Sequence, residues 1–227
     1  MERPILVFDI AETILDLRAL SPVFEDIFGD AAMLRTWFDE VVLYAQALTL
    51  TGAYVDLGKV GAAVLKMLAN IHGRVVDAAQ LAQFKKISLA LPAYADVRDG
   101  LETLQRAGFR MVTLSNNPGA TCETQLTNAG IRPFFERVFS IDDTVHRYKP
   151  AREAYLEVAT ALNRRPGDLW LITCHAFDAM GALAAGLHAG LLLRPGNAQF
   201  EIGAQPDLVH TDLRTMADAL AARFPSH

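Results

Sequence analysis

The sequence predicts an α/β protein: a parallel sheet layered between helices, with one helical segment inserted after the first strand. Three observations carry this prediction. Short apolar runs at 5–10, 110–115 and 169–173 have strand length and apolar texture. Amphipathic helical patterns alternate with such runs from Pro92 onward, the arrangement of a parallel sheet covered on both faces. Between the first strand and Pro92 the periodicity is helical throughout.

Taken in order, the first strand is 5–10. Helical patterns follow at 22–28, 31–48, 57–71 and 77–89, with apolar residues three or four apart, as in Leu34, Phe38, Val41, Val42 and Ala45. The second half reads helix 96–107, strand 110–115, helix 120–129, strand 138–141, helix 151–162, strand 169–173, helix 178–185, strands 191–193 and 208–210, and helix 213–223. This is a Rossmann-like three-layer core made of residues 1–15 and 92–227, with 16–91 as an inserted helical cap domain. In open α/β sheets ligands bind beyond the carboxyl ends of the strands. Asp9, Ser115 and Thr173 close three of these strands and converge on one crevice.

Composition narrows the function. A chain of 227 residues that is 52% hydrophobic holds a sizeable core. Its formal charge of −5 and the lack of any basic run argue against nucleic acid. No apolar run approaches the ~18 residues of a membrane span. Cys122 and Cys174 have neither disulfide-framework nor zinc spacing, so a cytoplasmic protein is expected.

Each polar position has a chemical and a plain reading. Asp9 suits a nucleophile, because carboxylates form covalent intermediates; alternatively it caps the following turn. In "TLSNNPGAT", residues 113–121, Ser115 and Asn116 suit anion binding next to a helix N-terminus, or ordinary capping. Lys149 precedes Pro150, a good first helical residue; beside Asp9 the lysine keeps a carboxylate ionised, whereas most lysines are solvated. Tyr155 in the next helix suits a core aromatic. His175 reads equally as catalytic or as a satisfied buried histidine, and Asp178 as a first-turn acid. Glu12 suits a leaving group that gains a proton or carries positive charge, or else faces solvent.

The ordered set of Asp9, Ser115–Asn116, Lys149–Pro150 and Asp178 resembles the haloacid dehalogenase-like hydrolase superfamily over essentially the whole chain. Its phosphatases carry a second aspartate two residues after the nucleophile, where this chain has Ala11. They hold magnesium with a Gly-Asp-x-x-x-Asp pattern, where Thr173 and Cys174 replace Gly-Asp. Too few oxygen ligands are left for the ion, so no metal or other cofactor is expected.

"FDIAETILD", "LSNN", "YKPAREAY" and "CHAFDAMGA" resemble the L-2-haloacid dehalogenase branch instead. That resemblance implies Asp9 as nucleophile, Lys149 stabilising the oxyanion, and Asp178 or His175 activating water. It places Thr13, Ser115, Asn116, Tyr155 and Thr173 around a small carboxylate substrate. At the branch's halide-binding arginine it places Phe38, with Arg35 one helical turn away, and it replaces an aromatic and a glycine by Ala11 and Glu12. The implied reaction is an (S)-2-haloacid dehalogenase's, giving a 2-hydroxy acid. Ring opening or other C–N or C–O cleavage of a small carboxylate is the alternative. A magnesium phosphatase and a non-catalytic binding protein stand further off. The resemblance also implies a homodimer, with Trp37, Phe38, Val41 and Val42 as its interface or else as the cap's own core.

Overall fold

The structure, a computed structural model, describes residues 3–225. In chain order its elements are β1 (Ile5–Phe8), α1 (Ser21–Phe28), α2 (Met33–Leu50), α3 (Leu57–Ile71), α4 (Ala78–Ser88), α5 (Val97–Arg106), β2 (Met111–Ser115) and α6 (Gly119–Asn128). Then come β3 (Arg137–Ser140), α7 (Arg152–Ala161), β4 (Leu169–Thr173), α8 (Ala176–Ala184), β5 (His188–Leu192), β6 (Leu208–His210) and α9 (Leu213–Arg223).

All strand pairs are parallel, in the order β3-β2-β1-β4-β5-β6. Central β1 pairs Leu6 with Met111 on one side and with Trp170 on the other. Its side chains alternate between two cores, as a period of two requires: Leu6 and Phe8 enter one, Ile5 and Val7 the other. That is why "ILVF" is apolar without a break. Residues of α5, α6 and α9 fill the first core and those of α7 and α8 the second, giving the three layers expected. Gly100 lets α5 approach α9 closely, since a Cβ there would stand 2.6 Å from Leu213 Cγ.

The insertion between β1 and α5 is all helical. Its apolar faces meet around Trp37, whose ring centroid lies 5.6 Å from Phe24 and 5.2 Å from Phe84. Trp37 Nε1 donates to the Gly61 carbonyl at 2.9 Å, so this buried polar group is satisfied. The α2 stripe that the sequence offered as a dimer interface therefore faces inward. Trp37 and Val41 are buried, and Phe38 and Val42 are half-buried against the core. The exposed apolar side chains of α2 are Leu43, Tyr44 and Leu50.

Several boundaries differ from the sequence reading. β1 ends at Phe8, because Ile10 turns inward and its carbonyl accepts from the Ile14 and Leu15 N–H groups. Pro150 precedes α7 rather than opening it. β5 starts at His188 and includes Gly190, where a Cβ would meet Ile172 at 2.9 Å and Met216 at 3.0 Å. Among the described residues, no helix is long and apolar enough to cross a membrane.

Candidate active site

Asp9 follows the last residue of β1, and its N–H donates to the Ile172 carbonyl of β4 at 3.0 Å. The side chain is thereby held at the carboxyl edge of the sheet, next to where the strand order switches direction. Lys149 arrives from the loop before α7 and is buried. Its ammonium donates to Asp9 Oδ1 at 2.7 Å, to Asp178 Oδ2 at 2.8 Å and to the Leu114 carbonyl at 3.2 Å, which uses all three protons. Burial alone would raise the Asp9 carboxyl, but Lys149 and then His175 outweigh it and hold Asp9 well below the usual carboxylate range. Burial likewise acts to discharge Lys149, and Asp178 and Asp9 hold its pKa above the ordinary lysine value instead.

Thr13 lies one turn beyond Asp9. Its hydroxyl donates to Asp9 Oδ2 at 2.6 Å and accepts from the Cys174 N–H at 2.9 Å, tying the nucleophile's turn to the end of β4. Asp178 sits in the first turn of α8, fully buried, with its second oxygen accepting from the Tyr155 hydroxyl at 2.6 Å. Tyr155 falls in the first turn of α7, and its hydroxyl is held protonated by burial and by Asp178. Asp178 and Tyr155 thus lie behind Lys149 and orient it, away from the crevice wall. Thr173 also turns from the crevice: its hydroxyl accepts from the His175 N–H at 3.1 Å and shapes the entry to α8.

A cavity of about 40 Å³ lies in front of Asp9, lined by Lys149, Ser115, Asn116, His175, Phe38 and Phe177 among others. The Ser115 hydroxyl oxygen accepts from the Asn117 N–H at 3.1 Å, leaving its proton to donate. Asn116 Oδ1 accepts from the Lys149 N–H at 3.0 Å, which leaves the Asn116 amide protons for a ligand. Two donors thus stand at the crevice beside a buried carboxylate, a pairing able to hold a small anion.

His175 stands between two carboxylates. Its Nδ1 lies 3.3 Å from Asp9 Oδ2 and its Nε2 lies 3.0 Å from Glu12 Oε2. The ring is stacked between Phe38 and Phe177, at centroid distances of 5.4 and 5.3 Å. Burial pushes the imidazole down, but Cys174 and the Asp9 and Glu12 carboxylates raise it well above the ordinary histidine value. Glu12 in turn is lowered against the effect of burial by His175 and Arg35. Arg35 donates to Glu12 at 3.1 Å and to Asp39 at 2.5 Å, so its guanidinium is already paired. Glu12 adopts φ 58°, the left-handed region that a side chain rarely occupies.

Sequence reasoning missed several residues. Arg194, two residues past β5, is buried; it donates to the Thr13 carbonyl at 3.0 Å and to Asp96 at 2.8 Å, clamping the turn that carries Asp9. An arginine after an apolar strand was its one signal. Phe177 and Asn117 line the crevice, and only the fold could show it. Among the described residues, Glu12, Cys174 and His175 bring metal-ligating atoms within 4.8 Å of one another, with the Glu12–His175 contact running through their midst.

Comparison with known proteins identifies the family. The model of the haloacid dehalogenase-like hydrolase family matches residues 4–186. An (S)-2-haloacid dehalogenase from Pseudomonas sp. (strain YL) is 25% identical over 215 residues, covering 94% of this chain and 92% of that protein. Another from Pseudomonas fluorescens is 26% identical over 217 residues, covering 94% and 95%. The structure of L-2-haloacid dehalogenase from Xanthobacter autotrophicus superposes with a TM-score of 0.88 at 21% identity, covering 99% of this chain and 100% of that one. The chain belongs to the haloacid dehalogenase-like hydrolase family.

Proposed function

We propose that this protein is a hydrolase that displaces the 2-substituent of a small carboxylate through an ester on Asp9, with (S)-2-haloacids as the leading substrates and a 2-hydroxy acid as product. The observation that carries this reading is the Lys149 ammonium between Asp9 and Asp178. The two carboxylates already share a cation, so the site needs no divalent ion to keep the nucleophile charged. The names of the relatives, (S)-2-haloacid dehalogenases, support the substrate class.

In the first step the substrate carboxylate accepts from Ser115 and Asn116, which fixes the α-carbon before Asp9. An Asp9 oxygen forms the C–O bond while the leaving group departs with its electron pair. Water then attacks the ester carbonyl of Asp9. Lys149 stabilises the oxyanion, and His175 takes the water's proton. The order of events makes His175 a base at the right moment: ester formation removes the Asp9 charge that helped hold the ring protonated. Nδ1 then gives its proton up to solvent and is free to take one from water, while Nε2–H still donates to Glu12. Collapse releases the 2-hydroxy acid, with the proton returning from His175 to its oxygen. The carboxylic acid proton left on Asp9 after collapse recharges the ring. Asp178 and Tyr155 position Lys149, Thr13 positions Asp9, and Thr173 the His175 backbone. The helical insertion acts as a cap, with Phe38 and Val41 closing the crevice.

Phe38 lies against the imidazolium where it meets the cavity, and Arg35 is spent on Glu12 and Asp39. His175 and Lys149 line the crevice in front of Asp9, and His175 is the one with a proton to give up near neutral pH. That favours a second reading, in which a leaving nitrogen or oxygen takes a proton from His175, as in ring opening of a small cyclic amino acid. The two buried free cysteines fit a reducing compartment, and a cytoplasmic location is part of the proposal.

The test is chloride release from L-2-chloropropionate in excess EDTA, with Asp9→Asn as the control. Release by the parent protein alone is expected. Equal rates in Asp9→Asn, or loss of activity on chelation, overturn the reading.

A further inference from the structure

The crevice at Asp9 adjoins a much larger space. A chamber of about 400 Å³ lies between the helical insertion and the core, ten times the crevice's about 40 Å³. Ala11, Phe38, Val41, Leu57 and Asn117 line both, so the two spaces share a wall and meet beside the nucleophile. The far walls are apolar, formed by Leu17, Leu20, Trp37, Phe84, Leu89 and Leu91. Exposed Lys59 and Lys85 border it.

We propose that this chamber receives the carbon chain or ring that the substrate's α-carbon keeps, so that the protein acts on 2-substituted carboxylates whose α-carbon also bears a medium-length alkyl or an aryl group. The inference rests on the reading of Asp9 as the nucleophile and deepens it. The crevice alone has room for little more than the carboxylate and the α-carbon. Ala11, which lines both spaces, presents only a methyl at the wall they share. A pocket of this size and apolar lining matches a ligand well beyond three carbons. Burying each further methylene there strengthens binding about fourfold.

Binding of unreactive acids separates this inference from the catalytic reading, because it needs no turnover. Propanoate, hexanoate and octanoate are titrated into the parent protein by calorimetry, with Trp37 fluorescence as a second readout. Octanoate is expected to bind at least about a hundredfold more tightly than propanoate. Ala62→Phe from α3 and Thr121→Phe from α6 fill the chamber from separate helices. Either one is expected to remove that gain while leaving propanoate binding and small-substrate turnover unchanged. Affinity that is flat with chain length overturns the proposal. So does a chain-length gain that survives in both folded variants. Chain-length-dependent binding without any ester chemistry would sink the catalytic reading and leave the chamber assignment standing.

Discussion

Glu12 Oε2 lies 3.0 Å from His175 Nε2, on the opposite side of the ring from Asp9. Two carboxylates thus flank one imidazole, and in the proposed reaction only one of them is consumed when the ester forms, so the charge on His175 follows the covalent state of Asp9.

His175→Ala separates the two half-reactions. Ester formation needs only Asp9 and the anion site, so the variant should release about one leaving group per active site and then stall. Mass spectrometry of the quenched protein should show the ester on Asp9. Steady turnover without an adduct would assign water activation to another group. Glu12→Gln should slow turnover about 10²–10⁴-fold, the ordinary range for a lost acid–base partner.

Glu12 also tests the strain in its turn. Glu12→Gly and Glu12→Ala both delete the carboxylate, but only glycine adopts φ 58° freely. The glycine variant is expected to be about 1–2 kcal/mol more stable than the alanine variant, with both equally slow. Urea midpoints compare the stabilities. Equal midpoints would mean that the turn relaxes.

Lys149→Met leaves Asp9 and Asp178 buried with no cation between them. Unfolding free energy should fall by about 3–5 kcal/mol, with turnover lost. Adding Asp178→Asn in the same chain should restore part of the stability and none of the activity. A single variant as stable as the parent protein would place the ammonium outside this ion-pair network.

The pH dependence of stability follows from His175, whose folded pKa is raised from its model-compound value of 6.5. Its partners exist only in the folded chain. Their contribution is complete below about 6.5 and disappears as pH rises through the higher folded value. The melting temperature of the parent protein relative to His175→Gln should therefore be most favourable in mild acid and shrink through the alkaline range. Asp9 behaves oppositely: its lowered value adds stability above the ordinary carboxylate range that is lost only in strong acid. A difference between parent and His175→Gln that does not change with pH would mean that His175 is neutral in the folded protein.

The helices and strands were legible because each repeats a local pattern. The 57–71 helix, the 169–173 and 208–210 strands and the 213–223 helix match their observed limits. Boundaries slipped where packing drew a glycine into a strand, as at Gly190 in β5, or where a buried residue turned, as at Ile10. Strand-end polar residues pointed to the crevice because every parallel strand delivers its carboxyl end to the same edge.

What the sequence by itself determined was the layer order, the helical insertion and the group Asp9, Ser115, Asn116, Lys149, His175 and Asp178, since these depend on local periodicity and on residue types at strand ends. Only the tertiary structure decided which of them face the crevice. Asp178, Tyr155 and Thr173 stand behind Lys149 and His175 because burial leaves their polar atoms only protein partners. Arg194 reaches Thr13 across 181 positions of sequence. The pairing of Glu12 with His175 spans 163. No local pattern records such contacts, because their energy comes from desolvated charges that meet only after the sheet has formed.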